Sequence, residues 1–128
     1  MGSKPARLLT LWGPPLALMA LIFALSAQSS GVEDRAWWDV ALRKGAHFSE
    51  YALLCALMIR ALRGRLLAAW TVTVLYAMTD EVHQTFVDGR HGTPRDVLID
   101  AAGALVVVGL VRWRRAQSQP RSVASSTA

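Results

Sequence analysis

The chain has 128 residues, 53% of them hydrophobic, with a mean hydropathy of +0.31 and a formal net charge of +5. That length allows one compact domain, but the apolar residues are gathered in four blocks, residues 8–27, 46–62, 66–86 and 93–111, rather than scattered in the short stripes of a soluble core. Each block is near the ~20 residues that cross a hydrocarbon layer of ~30 Å, which leaves little chain for a soluble domain, and the single Cys55 excludes an intramolecular disulfide.

The expected class is therefore all-α: an integral membrane bundle of four transmembrane helices in residues 1–115, followed by a disordered cytoplasmic tail in residues 116–128. Helices are favoured because they satisfy their own backbone polar groups in lipid. Residues 1–7 form a short basic leader. The first span, residues 8–27, is expected to be kinked or restarted at Pro14-Pro15. An alternative reads it as a signal peptide, with Lys4 and Arg7 as the basic start and Ala24-Leu25-Ser26 as a small-residue cleavage site. Cleavage would still leave three spans. The loop over residues 26–43 is polar and rich in tryptophan and acid, with a short surface helix expected around residues 34–42. Gly64 flanked by Arg60, Arg63 and Arg65 predicts a tight turn that makes the second and third spans antiparallel neighbours. Gly89, Gly92 and Pro94 mark the next turn. Thr93 is placed as the cap of the fourth helix, Pro94 in its first turn and Asp96 at its positive end. The tail is rich in Ser, Gln and Ala. There is no internal repeat and no phosphate-binding glycine loop.

The +5 charge is not a nucleic-acid signature, because its distribution is polar across the expected membrane. With the amino terminus in the cytoplasm, the inner side carries Lys4, Arg7, Arg60, Arg63, Arg65, Arg112, Arg114, Arg115 and Arg121 and no acid. The outer side carries Arg35, Arg43, Lys44, Arg90 and Arg95 with all nine acids. Nine Lys and Arg against five predicts a multi-pass protein of the cell membrane with both termini cytoplasmic. Trp12, Trp70 and Trp113 fall near inner span ends and Trp37 and Trp38 in the outer loop, as interfacial anchors do.

Ionisable residues inside apolar spans are costly and tend to be functional. Here they recur at helical spacing: Lys44-x-x-His47-x-x-Glu50-Tyr51, Tyr76-x-x-x-Asp80-Glu81-x-His83-Gln84, Asp88-Gly89-Arg90, and Asp96-x-x-x-Asp100-x-x-Gly103. At ~1.5 Å rise per residue, Glu50, Asp80 and Asp100 share a layer roughly 6–9 Å below the outer rim. His47 and Glu50 share one stripe, Tyr76, Asp80, His83 and Gln84 another, and Asp96, Asp100 and Gly103 a third. Glu81 departs by one position and is expected to face a neighbouring helix. Gly103, with Ala101, Ala102 and Ala104, offers a small surface for close helix packing.

These residues resemble the VanZ-like family of small bacterial membrane proteins. The resemblance rests on Ser26-Ala27-Gln28-Ser29, then Lys44, His47, Glu50 and Tyr51, then Asp80, Glu81, His83, Gln84 and Phe86, then Gly89-Arg90, and finally Asp96, Asp100 and Gly103, in that order. Asp88 stands where the family pattern has proline, and Asp100 where it has asparagine. The resemblance implies a four-helix membrane domain and a link to the cell envelope through resistance to the glycopeptide teicoplanin. It does not imply an established reaction.

The favoured function is an extracytoplasmic polar pocket that binds or modifies a lipid-linked or glycopeptide-related envelope ligand. Candidate catalytic groups are His47, Glu50, Asp80, Glu81 and His83. Histidine suits acid–base work near neutrality. Candidate ligand-binding groups are Lys44, Tyr51, Tyr76, Gln84, Arg90, Asp96 and Asp100, with Arg95 completing a basic rim for an anionic head group. No cofactor is expected. A divalent cation held by Glu50, Asp80, Glu81 or Asp100 with a histidine is the alternative, for which His47-x-x-Glu50 and Asp80-x-x-His83 supply half-sites only. No nucleophile is evident, since Ser49 is turned off the face. Expected partners are membrane lipids and the envelope ligand, with no nucleic acid, and the oligomeric state is open. Two alternatives stand beside this: a scaffold whose polar layer glues helices together, and a small proton-coupled transporter, for which the apolar inner halves of the spans supply no path.

Overall fold

The computed structural model describes residues 2–28 and 36–119. It contains four helices, α1 (Lys4–Ser26), α2 (Trp37–Ala61), α3 (Leu66–Gln84) and α4 (Pro94–Ser118), and no strand among the described residues. Helices consecutive in the chain run antiparallel, so α2 and α4 pack side by side in the same direction. Arg60 near the end of α2 donates to the Thr10 carbonyl near the start of α1 (2.9 Å), while Ser26 at the end of α1 meets Asp80 near the end of α3 (2.9 Å). Arg115 at the end of α4 donates to the Gly64 carbonyl in the α2–α3 turn (3.0 Å). One end of the bundle is thus lined with arginines. The other carries the carboxylates.

Each helix buries one narrow stripe. On α2 it is Tyr51, Leu54, Cys55, Met58 and Ile59, on α3 Ala69, Thr73, Ala77, Asp80 and Gln84, and on α4 Asp100, Gly103 and Ala104. These are i, i+3, i+4 and i+7 spacings. The core is built largely from small residues, and Gly103 shows why. A Cβ there would stand 2.4 Å from the Phe48 carbonyl oxygen of α2, so only glycine lets α2 and α4 approach this closely. The α2–α3 turn closes as a Schellman motif, with the Gly64 N–H bonded to the Ile59 carbonyl (2.7 Å) and the Arg63 N–H to that of Arg60 (3.2 Å). Arg63 holds the left-handed position (φ 55°) and Gly64 follows at φ 84°.

Several boundaries differ from those expected. Residues 37–42 do not form a separate surface helix. They are the first turns of α2, which runs unbroken to Ala61 because no proline interrupts it. Trp37 and Trp38 therefore sit on a helix rather than in a loop. α1 begins at Lys4 and continues through Pro14 and Pro15 without a restart. α4 extends to Ser118, beyond the apolar block, because Arg112, Arg114 and Arg115 are good helix formers near a helix carboxyl end. The rest of the expected tail, with Arg121, lies outside the described residues, as do Ser29, Glu33, Asp34 and Arg35.

Of the described helices, α1 alone is long and apolar enough to cross a membrane (mean hydropathy 2.0), and 11% of that stretch is buried. By length and composition, one of the four expected spans qualifies. The reason is local: Asp39, Arg43, Lys44 and Glu50 lie within α2, Asp80 and Glu81 within α3, and Asp96, Asp100 and four arginines within α4. Large apolar side chains nevertheless face outward on every helix, among them Leu9, Leu16 and Leu21, Leu53, Leu67, Leu75 and Met78, and Leu98, Leu105 and Leu110.

Candidate functional site

The acidic end of the bundle is organised around two buried carboxylates. Asp80 and Gln84 stand one turn apart on α3, Tyr51 faces them from α2, and Ser26 closes the group from the last turn of α1. One Asp80 oxygen, Oδ2, accepts from Ser26 Oγ (2.9 Å), Tyr51 Oη (3.1 Å) and Gln84 Nε2 (3.2 Å). Three helices therefore converge on a single atom. The other oxygen, Oδ1, is buried and accepts no hydrogen bond among the described residues. Tyr76, one turn before Asp80, does not join the group. Its hydroxyl donates to the Met19 carbonyl and ties α3 to α1.

The second carboxylate, Asp100, faces His47 across the α2–α4 contact. His47 Nδ1 and Asp100 Oδ1 are 3.7 Å apart, and both are buried without a hydrogen bond. The His47 ring lies nearly parallel to that of Tyr51, with centroids 6.4 Å apart, so the two carboxylate centres are joined through one aromatic pair. Asp80, Glu81, Asp96 and Glu50 all lie within electrostatic reach of Asp100. Glu50 is half-buried, with His47, Asp80 and Arg90 as its charged neighbours.

The rim residues are engaged by the protein itself. Lys44 pairs with Asp96 (3.2 Å), and Asp96 also accepts from the Thr93 hydroxyl (2.8 Å). Thr93 stands at the N-cap position of α4, as expected, but its hydroxyl reaches forward to Asp96 instead of bonding a backbone N–H. Its own N–H donates to Glu81 Oε1 (2.6 Å). Glu81 accordingly faces the start of the neighbouring helix α4. Gly92 makes this contact feasible, since a Cβ there would lie 2.5 Å from the Glu81 carbonyl oxygen. Arg90 directs Nε to the Gln28 carbonyl (3.1 Å) and Nη2 to that of Leu25 (3.3 Å), satisfying the exposed carboxyl end of α1. His83 stacks on Phe23 (centroids 4.0 Å apart, 15° between planes), with a buried, unpartnered Nδ1.

The structure thus groups His47, Tyr51, Asp80, Gln84 and Asp100 at one level, with Glu50, Glu81 and Asp96 around them, and leaves Tyr76 and His83 on the α1 side. Sequence reasoning missed Ser26 as a direct partner of Asp80, Phe23 as the stacking face for His83, and the Thr93 N–H as the donor to Glu81. Only Ser26 had a signal, its place in the Ser26-Ala27-Gln28-Ser29 element.

A family model described as VanZ/LLP1 matches residues 10–115. The chain belongs to the VanZ/LLP1 family. No curated protein and no solved structure matches it. The matched stretch spans the whole polar layer of this VanZ/LLP1 protein, from Ser26 to Asp100. Among its described residues, no three His, Cys, Asp or Glu side chains are grouped so as to hold a metal ion. His47 and Asp100 face each other at 3.7 Å, an ion-pair distance without a hydrogen bond. Nucleophilic chemistry has no evident agent. The Ser26 hydroxyl donates to Asp80, Ser49 is exposed and donates to the Gly45 carbonyl (2.8 Å), and Cys55 is buried in the apolar core.

Proposed function

We propose that this VanZ/LLP1 protein crosses the cell membrane four times with both termini cytoplasmic, and that its extracytoplasmic polar layer binds a lipid-linked or glycopeptide-related envelope ligand. The membrane placement is supported by the outward-facing leucines on all four helices, by the low burial of α1, and by the nine-to-five distribution of basic residues. The same placement favours an uncleaved α1, because removal of residues through Ser26 would strip Asp80 of a hydrogen-bond partner.

The observation that carries the ligand reading is the set of four buried polar atoms without hydrogen bonds: Asp80 Oδ1, Asp100 Oδ1, His47 Nδ1 and His83 Nδ1. Each such atom costs ~1–3 kcal/mol. His47 Nδ1 and Asp100 Oδ1 face each other at 3.7 Å, whereas Asp80 Oδ1 and His83 Nδ1 have no partner among the described residues. A layer serving only to join helices gains nothing from that burden. A ligand rich in hydroxyl or amine donors would relieve it at the carboxylates, while the exposed Arg95 at the rim suits a phosphate. A part in teicoplanin resistance is the biological form this reading takes. In it, His47 exchanges a proton with the ligand and Asp100 orients the imidazole.

A scaffold role is the second reading, and the Asp80 cluster favours it, since three donors from three helices already satisfy Oδ2. Proton-coupled transport lacks such support. Towards the basic end the core consists of Leu54, Met58, Ala69 and Ala104, with no ionisable relay.

Alanine at Glu50 separates the two supported readings, because that side chain is half-buried and its removal leaves the Asp80 hydrogen bonds intact. The ligand reading expects Glu50→Ala to accumulate in membranes and purify as a single species, yet lose teicoplanin-dependent growth protection and co-purified envelope lipid. Well-folded Glu50→Ala protein that matches wild type in both assays would overturn it.

A further inference from the structure

At the opposite, basic end of the bundle, α3 and α4 diverge to leave a groove of about 780 Å³, lined by Leu66, Leu67 and Trp70 from α3 and by Leu105, Val108, Arg112 and Arg115 from α4. The α4 residues recur at i, i+3, i+7 and i+10, so they form one stripe that is apolar towards the middle of the helix and cationic at its end. Leu67 is 76% exposed and Leu105 56%, an apolar surface left open inside the groove. Trp70 forms the floor, held by its indole N–H to the Ala101 carbonyl (3.3 Å).

We infer that this groove is a binding site for one anionic phospholipid of the cytoplasmic leaflet, its phosphate held by Arg112 and Arg115 and an acyl chain laid along Leu67, Trp70, Leu105 and Val108. Charge complementarity identifies the occupant. The basic end carries Arg60, Arg63, Arg65, Arg112, Arg114 and Arg115 and no acidic residue, so nothing in the protein neutralises the groove's cations. Arg112 donates no hydrogen bond among the described residues. Arg115 uses one Nη2 bond, to the Gly64 carbonyl, which aims its planar fork across the groove mouth and leaves further donors free. The mouth also meets the first turn of α3, whose backbone N–H groups favour an anion. A soluble phosphate would satisfy the arginines but leave the apolar wall open; a lipid with a neutral head would do the reverse. An anionic phospholipid matches both halves. The inference rests on the membrane placement proposed above and is independent of what the polar layer binds.

The test is native mass spectrometry of full-length protein released from nanodiscs containing phosphatidylcholine and phosphatidylglycerol. Wild type is expected to retain one phosphatidylglycerol in preference to phosphatidylcholine. Arg112→Ala combined with Arg115→Ala should lower that retention roughly thirtyfold, the loss expected of two membrane-facing basic residues. Because Arg115 also supports the Gly64 turn, a second variant fills the groove without changing charge: Leu105→Trp with Val108→Trp should lose the lipid as well. Arg114→Ala, off the stripe, should retain it. Equal retention of phosphatidylcholine, or an equal loss in Arg114→Ala, would overturn the site and reduce it to diffuse charge. Membrane placement is checked separately by carbonate extraction. Release of the protein into the soluble fraction defeats that placement, whereas membrane-embedded protein without lipid preference defeats the lipid site alone.

Discussion

At the scale of single residues, the acidic end separates groups that hold the fold from groups that leave it unchanged. Asp80 belongs to the first kind. Replacing it with alanine strands the Ser26, Tyr51 and Gln84 donors in a buried setting, so Asp80→Ala should lose about 3–5 kcal/mol. Asp80→Asn keeps an acceptor in place and should lose under about 2 kcal/mol. Thermal unfolding of the two variants in detergent should show Tm falling far more for alanine, and equal losses would mean that the hydrogen bonds to Oδ2 contribute little. Lys44 is the opposite case. Its pair with Asp96 is partly exposed, and Lys44→Ala should change stability by no more than about 1 kcal/mol. Any functional defect in that variant therefore reports on the rim rather than on folding. Helical periodicity made Asp80, Gln84, Tyr51 and His47 readable as site residues. It could not reveal Ser26 as the fourth member, because a serine ending an apolar helix carries no charge to mark it, and its partner lies 54 residues away.

At the scale of elements, two glycines on α4 make opposite predictions. Gly103 abuts the backbone of α2 at Phe48, whereas a Cβ on Gly109 would meet nothing within 4 Å. Gly103→Ala must push α2 and α4 apart and should lower stability by about 1–3 kcal/mol. Gly109→Ala should be neutral or stabilising by up to about 1 kcal/mol, as expected for alanine over glycine inside a helix. Unfolding curves that fail to distinguish them would mean that the close approach of α2 and α4 is not what holds the pair. The packing role of Gly103 was legible from its small neighbours and its spacing from Asp96 and Asp100. The start of α2 and the end of α4 were not, because hydropathy records the length of chain that tolerates lipid, while a helix ends where its backbone hydrogen bonds end. The segment expected as a separate surface helix around residues 34–42 is, from Trp37 on, the start of α2, and residues 116–118, expected in the tail, are the end of α4.

At the scale of the whole molecule, the opposed charge of the two ends is the main organising feature, and it was plain in the sequence before any coordinate. Fold class followed from it and from the four apolar blocks. The number of crossings did not follow as directly, since the carboxylates and histidines that form the polar layer also dilute α2, α3 and α4 below the apolarity of a simple span. The topology proposed here predicts that reporters fused at Gly89 and after Ala128 report opposite sides of the membrane, with Gly89 extracytoplasmic. Both on one side would invert or break the arrangement.

The convergence on Asp80 also has a temporal side. Ser26 and Tyr51 leave the ribosome before Asp80, and His47 before Asp100. During biosynthesis Asp80 and Asp100 would each enter a bilayer where a partner from an earlier helix is already waiting, whereas Glu81 would wait for the Thr93 N–H that follows it. Moving α1 to the carboxyl terminus would preserve every contact in the finished bundle while reversing that order for Ser26. Such a rearranged chain should show its defect in membrane insertion rather than in the stability of the protein that does assemble.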